Sequence, residues 1–162
     1  MREIENFDMK DQIDLSKIQP FGVKVGPDVS FITDLHCHLN QSEVIGLLGG
    51  KYDEDEKILY IQAAFPCKST ERSDNGFTDV EMETVSQIVV GEAIRKHGLN
   101  VVGWYHSHPT FQPDPSVTDI QNQSNYQNLF SGEDHPFVGL IVGTYGSKWQ
   151  NILCLVCHNN LI

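Results

Sequence analysis

The chain has 162 residues, of which 40% are hydrophobic and 20% charged, and a formal net charge of −11. That length and balance fit one soluble globular domain with a substantial core. No apolar run approaches the roughly 20 residues that cross a bilayer. The opening MREIENFDMKDQ has no apolar signal core, so an intracellular, non-secreted protein is expected. An acidic surface repels phosphate backbones, which argues against direct nucleic-acid binding and favours a basic partner.

Residues 1–20 are charged and irregular and are expected to form an arm or linker ahead of a domain at 21–162. A short strand, FGVKV, follows Pro20. From Val29 to Leu39 the apolar residues Phe31, Ile32, Leu35 and Leu39 recur at helical spacing, which predicts a helix. EVIGLLGGKY then has the pattern of a buried strand. KILYIQAAF, after the acidic turn DEDE, is its expected hairpin partner. Residues 67–79, CKSTERSDNGFTD, carry the turn formers of an exposed loop. A helix is expected over VEMETVSQIVVGEAIRKHG, with Gly98 as its stop signal. LNVVGWYHSH is a strand that the proline-rich PTFQPDP cannot continue. Ser116 stands where an N-cap would open the helix VTDIQNQSNYQNLF. PFVGLIVG and NILCLVC, joined by TYGSKWQ, complete an α/β domain with helices interleaved along a largely apolar sheet.

The four cysteines, Cys37, Cys67, Cys154 and Cys157, are expected to be thiols in an intracellular chain. CLVC at 154–157 has the spacing of half a zinc or redox motif. On a strand, however, positions three apart face opposite sides, and no second CxxC completes a four-cysteine site. Buried core thiols are the expectation.

Two histidine pairs invite a metal: His36 and His38 in LHCHL, and His106 and His108 in HSH. Secondary structure separates them. On a helix, residues two apart turn about 200° from one another, so His36 and His38 diverge and should flank the helix's apolar stripe. On a strand, residues two apart share a face, so His106 and His108 project together and Ser107 turns away. Asp119 lies in the first turn of the next helix, where a short loop returns it to the histidines. Two imidazoles and a carboxylate are enough protein ligands for catalytic zinc, with a fourth position left for water.

Glu43, followed by HSHPTFQPDPSVTD, resembles the JAMM signature of the MPN-domain metalloproteases: an upstream Glu, His-Ser-His-Pro, and Ser and Asp at fixed spacing downstream. The similarity extends to PFGVKV, DLHCHLNQSEVIGLLGG, VVGWYHSHP and PSVTDIQNQSNYQ, which are most like those members that deubiquitinate histones. It implies an MPN (JAMM) fold, a mixed β-sheet flanked by helices with cytidine-deaminase-like architecture. It also implies one catalytic zinc ion on His106, His108 and Asp119, with Glu43 as general base and Ser116 as oxyanion donor. Ubiquitin and a ubiquitinated histone would be the partners, and the nucleus the location. Segments 69–79 and 143–150 occupy the places where family members hold the ubiquitin tail, and any chromatin-binding module would lie outside this chain.

From its residue type, Glu43 is either exposed at a sheet end or held for chemistry, and the Ser116 hydroxyl suits both a cap and a donor. Trp104 and Tyr105 are expected to support the site, and Asp114 to be a solvated loop carboxylate. Three rival readings remain. A non-catalytic MPN scaffold or ubiquitin-binding module usually loses ligands, and none is lost here. A zinc nucleobase deaminase needs H-x-E and P-C-x-x-C, which are absent. A small-substrate JAMM hydrolase differs only in what it cleaves.

Overall fold

The computed structural model describes residues 19–74, 77–110, 112–130, 135–144 and 151–155. Residues 1–18 of the expected 1–20 arm, the segment 145–150 and Cys157 lie outside the described residues. Among the described residues, eight strands and three helices follow in the order β1 (Gly22–Val25), α1 (Pro27–His38), β2 (Ile45–Asp53), β3 (Ile58–Cys67), β4 (Ser69–Asp74), β5 (Phe77–Met82), α2 (Thr84–Lys96), β6 (Asn100–His108), α3 (Val117–Phe130), β7 (Val138–Gly143) and β8 (Asn151–Leu155).

Six strands form one mixed sheet in the order β1-β3-β2-β6-β7-β8. β1 runs parallel to β3 and β6 parallel to β7, while the other pairs are antiparallel. Each sheet face is covered. Val29 and Cys37 of α1 pack with Leu48, Leu59, Val102 and Tyr105 on one side. Ile94 of α2 and Tyr126 of α3 pack with Ile45, Leu47 and Trp104 on the other. The α/β expectation and the mixed sheet both hold. No helix among the described residues is long and apolar enough to cross a membrane.

Two expectations require correction. Residues 67–79 are not a simple exposed loop, because Cys67 ends β3 and β4 and β5 pair antiparallel from Ser69↔Met82 to Asp74↔Phe77. The hairpin roots itself by burying Val80 and Met82 in the α2/α3-side core. The second helix therefore begins at Thr84 rather than near Val80. The expected first helix is present as α1. Its buried residues are Val29, Thr33 and Cys37, while Phe31, Leu35 and Leu39 are 66%, 48% and 72% exposed. Thr33 escapes the cost of burial because its hydroxyl donates to the Val29 carbonyl at 2.9 Å. That bond lets a polar residue take a core position and turns most of the apolar stripe outward.

Gly98 adopts φ +71°, the left-handed stop that ends α2, and its N–H bonds the Arg95 carbonyl at 2.9 Å. Gly46 serves packing instead: a Cβ there would lie 2.3 Å from the Tyr105 ring. Its absence lets Tyr105 lie across β2 toward α1.

Candidate metal centre

The site is set by alternation along β6. Trp104 packs in the α2/α3-side core and Tyr105 in the α1-side core. By the same period of two, His106 and His108 face α3 and Ser107 faces α1. Both imidazoles are buried, 2% and 1% exposed. Their Nε2 atoms approach to 3.0 Å.

Asp119 reaches them from the first turn of α3. Its Oδ1 lies 3.0 Å from His106 Nε2 and its Oδ2 3.4 Å from His108 Nε2. The loop back is fixed by a reciprocal cap: Ser116 N–H donates to Asp119 Oδ2 at 2.7 Å, and Asp119 N–H donates to Ser116 Oγ at 3.1 Å. The expected N-cap at Ser116 is thus present, with Asp119 closing the box.

These three residues form a buried cluster whose ligand atoms lie within 4.8 Å of one another. Zinc bonds of about 2.0–2.1 Å at tetrahedral angles hold ligand atoms roughly 3.3 Å apart, close to this spacing. The donor chemistry also fits. His108 Nδ1 lies 2.9 Å from the Gln112 carbonyl, which can only accept, so Nδ1 carries the proton and Nε2 presents a lone pair. His106 Nδ1 is buried with no hydrogen-bond partner among the described residues. The ring is held by stacking instead, its centroid 4.7 Å from that of Trp104 and the two planes nearly parallel at 11°.

The charges are coupled. Burial raises the Asp119 carboxyl, but hydrogen bonds to His106 and His108 outweigh it and hold the group well below the ordinary carboxylate range. Burial drives the His106 imidazole down, against the pull of Asp119. It also lowers His108, but there Asp119, the Gln112 carbonyl and the Glu43 charge together win, and the net shift is upward.

Glu43 is half-buried and sits two residues ahead of β2. The last regular β2–β6 pair is Ile45↔His106, and Val44 and Ser107 are bonded beyond it. One further step puts Glu43 opposite His108, on the histidine face. The field of its carboxylate at His108 agrees with that placement. The expected strand opening at Glu43 is displaced by two residues, since β2 begins at Ile45.

His36 and His38 diverge as the helical argument requires. His36 Nδ1 meets the Tyr105 hydroxyl at 2.8 Å, whereas the exposed His38 turns to Asp34. Neither joins the cluster. Cys37 is a buried thiol pushed up to about 12, first by burial and then by the Asp34 charge, while a Ser107 hydrogen bond opposes the rise. Cys67 is a half-buried thiol. Asp114 is exposed, as expected for a loop carboxylate.

Sequence reasoning missed Gln123. It is fully buried on α3, one turn beyond Asp119 on the same face. Its Oε1 accepts the Trp104 indole N–H at 2.6 Å, and its Nε2 donates to the Phe137 carbonyl at 3.0 Å and to Gln127 Oε1 at 2.8 Å. Gly139 leaves room for this junction, since a Cβ there would lie 2.8 Å from both Gln123 Oε1 and Trp104 Nε1. Gln123 thus ties the helix bearing Asp119 to the tryptophan stacked on His106. Its i, i+4 spacing from Asp119 was the available signal.

Comparison with known proteins finds relatives over most of the chain. The chain is 41% identical over 149 residues to the histone deubiquitinase MYSM1 of Xenopus laevis, a match covering 90% of this chain and 18% of the relative. It is 43% identical over 149 residues to the human deubiquitinase MYSM1, with the same 90% and 18% coverage. A mouse "MPN domain-containing protein" is 42% identical over 123 residues, 76% of this chain and 24% of that protein. The chain thus spans less than a quarter of the length of these relatives. The solution structure of protein DSY2949 from Desulfitobacterium hafniense shares the fold, with a TM-score of 0.62, 20% identity and 83% coverage of each chain. The profile of the family described as "JAB1/Mov34/MPN/PAD-1 ubiquitin protease" matches residues 22–131, and the chain belongs to that family.

Proposed function

We propose that this domain is a zinc-dependent isopeptidase that removes ubiquitin from a lysine of a protein substrate, a histone in chromatin, and that it works in the nucleus. The supporting observation is the buried convergence of His106, His108 and Asp119, with Glu43 on the same face, in a member of this family. Histone as the substrate follows the activity for which the Xenopus relative is named.

His106 Nε2, His108 Nε2 and the Asp119 carboxylate would hold the ion. When bound, zinc supplies Lewis acidity and lowers the pKa of a water to about 7. Glu43 takes the proton of the attacking water and delivers it to the lysine nitrogen as the isopeptide C–N bond breaks. The products are a free ubiquitin carboxylate and a lysine amine.

Ser116 serves two purposes. Its Oγ accepts the Asp119 N–H, which uses an oxygen lone pair and not the hydroxyl hydrogen. That hydrogen can donate to the oxyanion formed at the attacked carbonyl. The ubiquitin tail would lie extended beside the β4–β5 hairpin, where strand addition gives backbone bonds with little side-chain demand. Arginines of such a tail suit a surface of net charge −11.

The test combines metal analysis with cleavage of ubiquitinated nucleosomes and of free ubiquitin chains. One zinc per chain and release of ubiquitin from nucleosomes are expected. Absence of zinc from the folded domain would favour a scaffold. Zinc without turnover of any ubiquitin substrate would point to a hydrolase of small substrates.

A further inference from the structure

We infer that Ser107, the residue between the two histidines, is a positioning residue that aims Glu43 at the metal centre. The inference rests on the hydrolase reading above for the role of Glu43, but its geometry stands independently.

Ser107 faces away from the metal cluster and is 0% exposed. Its Oγ accepts the Val44 N–H at 2.9 Å, and its own N–H donates to the Val44 carbonyl at 3.0 Å. The Val44 N–H belongs to the peptide plane that joins Glu43 to Val44, so the Oγ bond fixes the orientation at which the Glu43 backbone enters the site. Regular pairing of β2 with β6 ends at Ile45↔His106, so this bond carries the order of the strand one peptide further. On the other side of Glu43 the chain is solvent-exposed at Asn40, Gln41 and Ser42. The carboxylate thus stands one residue beyond the last peptide that the Ser107 hydroxyl orders.

The clamp has a geometric consequence. Ser107 is covalently bound to both His106 and His108, so the base and two ligands are referenced to one three-residue segment of β6. Even-numbered side chains of that segment face the metal cluster, while the odd-numbered Ser107 holds the strand that carries the base. A misplacement of about 1 Å can cost on the order of 10²-fold in rate, so such a reference is worth a buried hydroxyl.

The test uses Ser107→Ala, the hydroxyl-retaining Ser107→Thr, and a cycle with Glu43→Gln. In Ser107→Ala, kcat should fall about 10-fold or more with KM nearly unchanged, because the fault lies in alignment and not in binding. Zinc stoichiometry should stay as in wild type, and Ser107→Thr should restore most of the loss. In the Glu43→Gln background, adding Ser107→Ala should cost less than about 2-fold, since residues acting through one another are non-additive. An independent loss of about 10-fold in that background would overturn the inference.

A second readout needs no activity. Val44 amide hydrogen exchange should accelerate in Ser107→Ala, and unchanged protection would overturn the clamp. If alanine prevents folding, Ser107→Cys, nearly equal in size and a poor acceptor, takes its place in both measurements. A wild-type domain that cleaves nothing would refute the hydrolase reading, and amide exchange would still decide whether Ser107 orders residues 43–44.

Discussion

Replacing Gln123 by leucine removes a buried junction while keeping its approximate volume. The Trp104 indole N–H, in a side chain only 1% exposed, loses its acceptor, and the Phe137 carbonyl loses a donor. An orphaned buried donor costs about 1–3 kcal/mol, and the carbonyl adds a smaller amount, so roughly 2–4 kcal/mol is expected. For a domain of this size each kcal/mol lowers Tm by about 2–4 °C, giving a drop of roughly 4–16 °C. Because Gln123 also couples α3 to the tryptophan stacked on His106, zinc affinity should weaken about 10-fold or more, as when a ligand's supporting partner is removed. Urea unfolding of chelator-treated protein gives the first quantity and a competition titration the second. Trp104→Phe deletes the indole N–H, so the cost of Gln123→Leu should shrink in that background. A leucine variant within about 0.5 kcal/mol of wild type, with unchanged zinc affinity, would refute the coupling.

Glu43→Gln should keep zinc and fold while turnover drops by about 10²–10⁴-fold, and loss of zinc from the folded variant would make Glu43 a ligand instead. Joint His36→Ala and His38→Ala substitution should leave zinc content unchanged but destabilise the domain by about 1–3 kcal/mol, because the buried Tyr105 hydroxyl loses His36. Metal analysis and urea unfolding check both halves, and lost zinc in a folded variant would defeat the helical reasoning. Zinc affinity should rise as pH increases through and above the ordinary histidine range, because His108, which burial lowers but Asp119 and its other partners shift upward on balance, must lose a proton before it can ligate. A flat affinity profile across that range would contradict the shift.

The parts of the fold legible in sequence were those that a period of two controls. VVGWYHSH reads as a strand whose alternate residues divide between faces, and the structure places His106 and His108 together with Ser107 opposite. The helical turn of about 100° per residue likewise separated His36 from His38. Apolar periodicity located α1 but not the face it buries. Thr33 is buried because it satisfies its own hydroxyl within α1, and Phe31, Leu35 and Leu39 are left facing solvent. The β4–β5 hairpin was hidden because its strands are mostly polar, although Asn75-Gly76, a dipeptide favoured between paired strands, lay between them. Gln123 shares a helix face with Asp119, but that spacing alone does not mark a buried amide, which is recognised by partners that here include Trp104 of β6 and the residue before β7.

Ser116 shows how a structural and a chemical use of one hydroxyl can be separated. The cap has two bonds, and only one involves the Ser116 side chain. The other runs from the Ser116 backbone N–H to Asp119 Oδ2 at 2.7 Å and survives any substitution that keeps the amide. Asp119 therefore stays anchored, and zinc should remain bound, in both Ser116→Ala and Ser116→Gly. The two variants differ in stability, since alanine at an N-cap costs about 0.5–2 kcal/mol and glycine only a few tenths. Neither loss populates the unfolded state well below melting in a domain worth about 5–15 kcal/mol. If the hydroxyl only caps the helix, both variants should turn over substrate normally at such temperatures. If it donates to the oxyanion, both should lose roughly 10²-fold or more in kcat, by the same amount despite their unequal stabilities. Equal losses are the expected result. Near-normal turnover in the zinc-loaded glycine variant would return Ser116 to capping alone.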